Sequence, residues 1–311
     1  MRTPEADKSR KTRGLALVAV LTLASLGTAC ARPIFDAEGA GAYGPLSDPV
    51  ADEWDDRGEW DDGGAWDDDD GWDDDDGWED GDGWDDAEPI AMFAVDGDRL
   101  DLGDAPTEVA ASAAAIWKRF TQLIPADQRT MLAGFELLPE AYGGAHVYPS
   151  DSDASRWIMG IGLGLGDELD ATLIHEFGHL LTLQAKEVPP GSGDRGCKTY
   201  FTGEGCALSG STFAGYVKRF WPQSLVDEVA ELEMSGDGEA IDAFSDEHRD
   251  AFVTDYASTN PAEDLAETFT TFVMEDRPAG SSIADEKVAF LWGDPDMVDL
   301  RARIRAALER A

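Results

Sequence analysis

The pattern of apolar and polar positions divides the chain into an apolar N-terminal run, a polar segment and a long region of regular elements. From about Ile90 onward, apolar side chains recur at helical spacing, and short apolar runs between turn residues predict strands. The predicted helices span 107–124, 169–185, 224–233, 261–274, 284–292 and 295–310, and the predicted strands span 134–138, 146–148 and 157–163. These elements fit an α+β domain of about 220 residues, with a small mixed sheet and a mainly helical C-terminal part. This length is enough for one substantial core or for a two-lobed domain with a cleft.

The N-terminal apolar run indicates export. Basic residues precede an apolar stretch from Leu15 to about Ala29, which is too short to cross a bilayer and is typical of a signal peptide over 1–30. The sequence that ends at Cys30 is similar to a bacterial lipoprotein cleavage site, although Leu26 stands one position too far from the cysteine. We therefore expect a cell-envelope lipoprotein tethered to the membrane through a lipidated Cys30, or a secreted protein cleaved near Ala29 or Ala31.

Residues 31–88 contain an acidic repeat. Tryptophan recurs every six residues, at Trp54, Trp60, Trp66, Trp72, Trp78 and Trp84. Residues 51–88 hold 21 Asp or Glu and one Arg, within a chain of formal net charge −41. A six-residue period fits neither a helix nor a strand, and dense like charge predicts a disordered linker. Weak calcium binding by the Asp runs, or binding of a partner by the tryptophans, are the alternatives. Nucleic-acid binding is excluded because clusters of Lys and Arg are absent.

The remaining cysteines, Cys197 and Cys206, lie in residues 187–215, a Gly-rich stretch that predicts a loop. In an exported protein this pair predicts a disulfide that closes a small surface loop. A zinc knuckle would need two more cysteine or histidine ligands nearby, and the sequence has none there.

The strongest chemical signal is His175-Glu176-Phe177-Gly178-His179, within the predicted helix 169–185. On a helix, side chains four residues apart share a face, so both imidazoles can bind one metal ion. Glu176 would lie beside that ion and accept a proton from its bound water. The flanking residues are apolar, and a buried helix has no plain structural use for two histidines and a glutamate. One Zn²⁺ per chain is therefore predicted, with His175 and His179 as ligands.

A catalytic zinc needs a third protein ligand. A third histidine six residues after His179 is ruled out, since that position is Ala185. His146 and His248 stand in no paired or helical context, so we expect the first to be structural or on the surface and the second to be solvated. A carboxylate on another helix is the better candidate.

The predicted helix 261–274 offers two such carboxylates. Asn260 is a favoured N-cap and Pro261 suits the first helical position. Glu263 and Glu267 are four residues apart and share a face, so one can bind the metal while the other hydrogen-bonds a ligating histidine. By itself the pair would be read as two exposed glutamates, with Glu263 acting only as a helix cap.

Together these segments resemble the gluzincin metallopeptidases related to anthrax lethal factor. The shared pattern is the His-Glu-Phe-Gly-His motif, then Tyr256, then Glu263 seven residues on, then Glu267 four residues further. The resemblance implies a zincin-like metallopeptidase domain over 89–311. It also implies that Glu263 is the third ligand and that Tyr256 donates a hydrogen bond to the tetrahedral intermediate. Glu267 would not bind the metal but would hydrogen-bond a ligating histidine. Two short segments carry the resemblance, so it implies the chemistry and not the substrate.

The implied function is that of a monomeric zinc-dependent metalloendopeptidase, which hydrolyses peptide bonds in peptide or protein substrates through a metal-activated water. A cell-surface binding protein on the same scaffold and a cell-wall peptide amidase are the alternatives. An intact Glu176 argues against the first, because a binding module needs no catalytic base. The fold type further implies that the strand 157–163 forms the sheet edge that pairs with substrate, with glycines at 160, 162, 164 and 166 allowing close approach. The alternative is that these glycines belong to a loop leading into the helix.

Overall fold

The computed structural model describes residues 88–191, 193 and 196–310. The predicted signal peptide, Cys30 and all of the acidic repeat except Glu88 lie outside these residues, so their interpretations stay predictions. None of the helices in the described part of the chain has the length and apolar character that a membrane span requires.

Five strands form one mixed sheet. The strands are β1 (Ala91–Asp96), β2 (Arg99–Asp101), β3 (Leu132–Leu138), β4 (Ala145–Ser150) and β5 (Asp153–Gly162), in the spatial order β2-β1-β3-β5-β4. β3 and β5 run parallel, and every other neighbouring pair is antiparallel. The sheet is followed by a helical C-terminal part, so the predicted α+β class is confirmed.

Eight α-helices occur in the described residues. They are α1 (Thr107–Leu123), α2 (Leu169–Leu183), α3 (Thr212–Phe220), α4 (Gln223–Ser235), α5 (Gly238–Glu247), α6 (Pro261–Met274), α7 (Ile283–Leu291) and α8 (Pro295–Leu308). Six of them match predicted helices to within a few residues. α3 and α5 are additional, and α3 begins inside the stretch that was predicted to be loop.

The two faces of the sheet differ in character. One face is apolar and packs into the main core, through Phe135, Leu137, Met159 and Ile161. The other face carries a polar cluster that crosses from β3 to β4. His146 Nε2 lies 3.0 Å from Glu136 Oε2, and the Tyr148 hydroxyl donates to Glu136 Oε1 over 2.7 Å. His146 is therefore structural, as expected from the sequence.

The prediction that the strand 157–163 forms the sheet edge is wrong. β5 lies between β3 and β4, because the chain turns tightly after Ser150 and pairs β4 with the outer side of β5. The edge strand is β4. A Cβ on Gly160 would lie 2.3 Å from His146 Nε2, and one on Gly162 would lie 2.7 Å from the Gly144 carbonyl oxygen. These glycines thus make room for the chain's own groups.

The two later glycines of the series belong to the loop before α2. Gly164 has φ +85° and Gly166 has φ +52°, in the left-handed region that glycine adopts without steric cost. For these two positions the structure agrees with the loop interpretation.

Helix α2 is buried along almost its whole length. Every residue from Ala171 to Leu183 is buried, since the helix packs against α1, α3, α6 and β4. Its first turn is held by α1, because the Arg119 guanidinium donates to the Asp170 carboxylate. An enclosed helix must be apolar on all sides, which agrees with the apolar flanks of its histidine motif.

Helices α2 and α6 approach each other closely at a glycine. A Cβ on Gly178 would lie 3.2 Å from the Cα of Ala266 and 3.5 Å from the Ala266 Cβ. Because backbone atoms of a buried helix cannot move aside as a side-chain tip can, the absence of a side chain at Gly178 sets the distance between the two helices.

We expect Gly178→Ala to lower the free energy of unfolding of the metal-free protein by about 1–2 kcal/mol, measured by urea denaturation with a chelator present. Overpacking a dense core costs about 1–3 kcal/mol, and the gain in helix propensity offsets at most about 1 kcal/mol.

Gly215→Ala is the matched control, since Gly215 is also inside a helix. Its added Cβ would meet Phe290 Cζ at 3.6 Å, an ordinary contact. This variant should gain about 0.5–1 kcal/mol from helix propensity alone. Equal stabilisation of both variants would contradict the close-packing argument.

Candidate metal centre

Two histidines of α2 face the same point. His175 and His179 are one helical turn apart and buried, with 1% and 6% of their surfaces exposed. Their Nε2 atoms lie 3.1 Å apart, and their ring centroids lie 4.8 Å apart. Helix geometry and the tight packing around α2 together fix both imidazoles.

Helix α6 supplies the facing carboxylates. It begins where the sequence predicts: the Asn260 side chain accepts from the backbone N–H groups of Ala262 and Glu263, and Pro261 occupies the first turn. The side chain of Glu263 serves no cap and points to the histidines of α2 instead. Both Glu263 and Glu267 are 4% exposed, so the interpretation as a solvated surface pair is wrong.

Three ligand atoms form a nearly equilateral triangle. Glu263 Oε2 lies 3.1 Å from His175 Nε2 and 3.2 Å from His179 Nε2, and the third side is the 3.1 Å between the two nitrogens. A tetrahedral centre with bonds of about 2.0–2.1 Å places its ligand atoms about 3.3 Å apart. The three residues therefore fit a single metal ion, and they are the one group of metal-binding type among the described residues.

A second carboxylate orients the first histidine. His175 Nδ1 donates to Glu267 Oε1 over 2.6 Å, and Thr254 donates its hydroxyl to Glu267 Oε2 over 2.8 Å. This contact fixes the tautomer that leaves His175 Nε2 available to a metal. Within the described residues, Nδ1 of His179 has no such partner.

The charges of the cluster shift each other's titration. Burial lowers the pKa of His175, but hydrogen bonds to Glu263 and Glu267 outweigh burial and raise that pKa well above its ordinary value. Burial raises the pKa of Glu263, but the charge of His179 and hydrogen bonds from both histidines hold it well below its ordinary value. Without a metal ion, the site is therefore stabilised by a carboxylate facing a protonated imidazole.

Glu176 lies next to these ligands in the motif but is not one of them. It is buried, with 2% of its surface exposed, and its Oε2 has no hydrogen-bond partner among the described residues. Burial raises the pKa of Glu176, while the charges of His175 and His179 lower it by a smaller amount. Burying a carboxylate oxygen without a hydrogen-bond partner costs free energy, unless a water molecule or a ligand contacts it. The environment of Glu176 therefore suits a group that accepts a proton from water.

Tyr256 lies in a 3₁₀ turn, Tyr256–Ser258, just before α6. Its ring centroid is 5.9 Å from that of His175, and the residue is half-buried. Burial first, then the negative charges of Glu263 and Glu176, raise the pKa of the Tyr256 hydroxyl, so it stays protonated and can donate a hydrogen bond. The structure thus brings six predicted residues together: His175, Glu176, His179, Tyr256, Glu263 and Glu267.

Other predicted residues lie elsewhere. Cys197 and Cys206 form a disulfide within the loop between α2 and α3 and take no part in the centre. His146 belongs to the sheet cluster, and its charge also contributes to lowering the pKa of Glu176. His248 is not fully solvated as expected, because its half-buried ring lies 4.4 Å from that of Phe244.

Sequence reasoning missed Thr254 and the buried acid Asp264. Thr254 stands two residues before Tyr256, so a search around that residue for a hydroxyl donor could have found it. Asp264 is wholly buried beside Glu263, and its pairing with Lys287 depends on tertiary packing that no local pattern encodes.

Comparison of the chain with protein-family models, curated proteins and solved structures finds no match. We therefore infer the class of the protein from the geometry of this site.

We expect metal binding at pH 7 to release about one proton per site, because the raised pKa of His175 keeps that imidazole protonated until a metal ion displaces the proton. Affinity should accordingly fall as pH is lowered and rise until the pKa of His175 is passed. Titration calorimetry in two buffers of different ionisation enthalpy measures the release. A metal affinity that is constant from pH 6 to pH 8 would contradict this assignment.

Proposed function

We propose that the chain is a zinc-dependent metallopeptidase of the gluzincin type, which hydrolyses peptide bonds in peptide or protein substrates. The observation that carries the proposal is the buried triangle of His175, His179 and Glu263, with the unpaired carboxylate oxygen of Glu176 beside it. A purely structural role for these residues would leave four ionisable groups buried without a purpose.

The donor set favours zinc. Two imidazole nitrogens and one carboxylate oxygen are ligands of catalytic zinc sites, in which a fourth position is left for water or substrate. Calcium and magnesium prefer sites built mainly of oxygen ligands, and the two imidazoles argue against both. One Zn²⁺ per chain is the stoichiometry that this proposal requires.

The fold agrees with a zincin-like domain. A buried helix bearing the histidines packs beneath a small mixed sheet, and a second helix supplies the carboxylate. No other strand of the described residues pairs with the outer side of β4, and an unpaired sheet edge is the kind of surface to which an extended peptide adds as a further strand. In place of β5, we propose β4 as the strand along which substrate aligns.

The residues divide the chemistry between them. When bound, zinc supplies Lewis-acid chemistry, which polarises the carbonyl and lowers the pKa of water. Glu176 accepts the proton of the attacking water and passes it to the leaving amine. Tyr256 donates its O–H to the carbonyl oxygen as negative charge develops there. Glu267 holds the ring of His175 in place through Nδ1.

Export remains part of the proposal. The disulfide between Cys197 and Cys206 supports an oxidising compartment, as the N-terminal apolar run does. Lipidation of Cys30 would then tether the enzyme to the cell envelope.

We expect one zinc per chain in the wild type, lost to a large extent in Glu263→Ala and retained with about 10–100-fold weaker affinity in Glu267→Gln. Glu263→Ala should have the larger effect on zinc binding because Glu263 is the proposed ligand, whereas Glu267 acts only through His175. Atomic emission and competition with a chromophoric chelator measure stoichiometry and affinity. Glu136→Gln, a buried carboxylate of the sheet, is the control that should keep the zinc. A folded wild type without zinc would overturn the proposal.

We expect Glu176→Gln to abolish hydrolysis while zinc stays bound, since the amide cannot accept a proton. Cleavage of fluorescein-labelled casein and of a mixed library of quenched fluorogenic peptides provides the assay, and the zinc content of the same samples provides the control. Wild-type protein that holds zinc and cleaves neither probe would favour a binding protein on this scaffold instead.

A further inference from the structure

A buried ion pair involves Asp264, the residue that follows the candidate metal ligand Glu263 on α6. Lys287 of α7 places its Nζ 2.8 Å from Asp264 Oδ2, and the two residues are 1% and 0% exposed. Trp221 Nε1 donates to the same carboxylate oxygen over 2.7 Å. The proposed reaction makes no use of this lysine or this aspartate.

The pair anchors one side of α6. Successive residues of an α-helix point about 100° apart, so Asp264 points away from the direction of Glu263 and Glu267. Lys287 and Trp221 both contact Asp264. One helical turn later, on the same side of α6, the Thr268 hydroxyl forms a 2.8 Å hydrogen bond with the Tyr216 hydroxyl. With this side held, the carboxylates of the other side face α2.

The same ammonium group also contacts the segment that leads to Tyr256. Lys287 Nζ lies 3.8 Å from the ring centroid of Phe252, a cation–π contact. The N–H of Ala284, in the first turn of α7, donates to the Asp250 carbonyl oxygen over 3.1 Å. Thr254, which supports Glu267, and Tyr256 follow within four residues of Phe252.

A buried ion pair is a poor way to add stability. Removing two charges from water offsets most of their attraction, and an apolar pair of similar shape often serves as well. The value of Lys287 lies in where its contacts go: one to the helix that carries Glu263, and the other to the segment that carries Tyr256.

We propose that Lys287 is a positioning residue, which through Asp264 and Phe252 sets the ligand helix and the Tyr256 segment in register with each other. It touches neither metal nor substrate. The proposal rests on the proposed function for its catalytic consequence, but not for its structural one.

The test is the double variant Lys287→Met with Asp264→Asn, made in the full chain. It removes both charges together, so neither is left buried alone, and the oxygen of the introduced amide can still accept from Trp221. We expect zinc affinity to weaken about tenfold or more, as for loss of an orienting contact. We also expect kcat on the peptide library to fall with little change in KM. The matched control is Glu286→Gln, which removes an exposed charge from the neighbouring position of α7.

Hydrogen exchange over 250–262 gives a readout that needs neither zinc nor activity. We expect faster exchange there in the double variant than in the wild type, at equal global stability. Wild-type zinc affinity, kcat and exchange in the double variant would overturn the proposal. If the wild type neither binds zinc nor cleaves peptides, the proposed function fails, and the exchange difference alone decides the positioning role.

A second variant covers the case in which the double variant does not fold. Phe252→Leu keeps both charges and much of the apolar volume but removes the ring from the ammonium. We expect a lower kcat and a smaller loss of zinc affinity than in the double variant, because the contact of Lys287 with the helix that carries Glu263 is kept. An unchanged kcat in this variant would contradict the proposal.

Discussion

The close packing of α2 on α6 is the constraint on which the candidate centre depends. Ligand atoms from two helices can converge to 3.1–3.2 Å only if the backbones come close, because histidine and glutamate side chains are short. Gly178 permits this approach by presenting no side chain to Ala266. It stands between the two histidines in sequence, and Ala266 stands between the two glutamates. The contact point of the helices and the candidate metal centre are therefore parts of one interface.

That interface is unusually polar for a protein core. His175, Glu176, Glu263 and Glu267 are each at most 4% exposed, and buried charges are costly unless paired. Without a metal ion, hydrogen bonds between imidazole and carboxylate offset part of this cost, which explains the opposite pKa shifts of His175 and Glu263. A divalent ion would compensate the carboxylates more fully. Its binding energy would then add to the stability of the fold.

The sequence predicted what local geometry determines. Spacing of four residues on a helix places two side chains together wherever the helix lies, so the histidines of α2 and the glutamates of α6 could be paired in advance. The cap at Asn260 is likewise local, and the bounds of α6 were predicted correctly. The α+β class followed from the order of the elements.

Features that depend on distant packing were not predictable in the same way. β1 and β2 are short strands at the far side of the sheet, with only Phe93 of β1 fully buried, so their pattern gave no clear signal. β4 is the edge strand because the tight turn after Ser150 pairs β4 with the outer side of β5. The alternation of apolar and polar residues along one strand does not show which neighbour that strand pairs with. The glycines of β5 looked open to a ligand, but Gly160 accommodates His146 from the neighbouring strand.

Tyr256, the proposed hydrogen-bond donor to the oxyanion, is positioned differently from the candidate ligands. Tyr256 lies in a short turn and not on a long helix, so its place is set by contacts of the residues around it. Ser258 bonds Ser245 of α5 over 2.7 Å, and Phe252 packs on Lys287 of α7. Helix α5, which lies between the two motifs, and helix α7, which follows α6, thus support the turn from both ends. The packing of α5 and α7, more than the spacing from Tyr256 to Glu263, holds the Tyr256 side chain beside the candidate metal ligands.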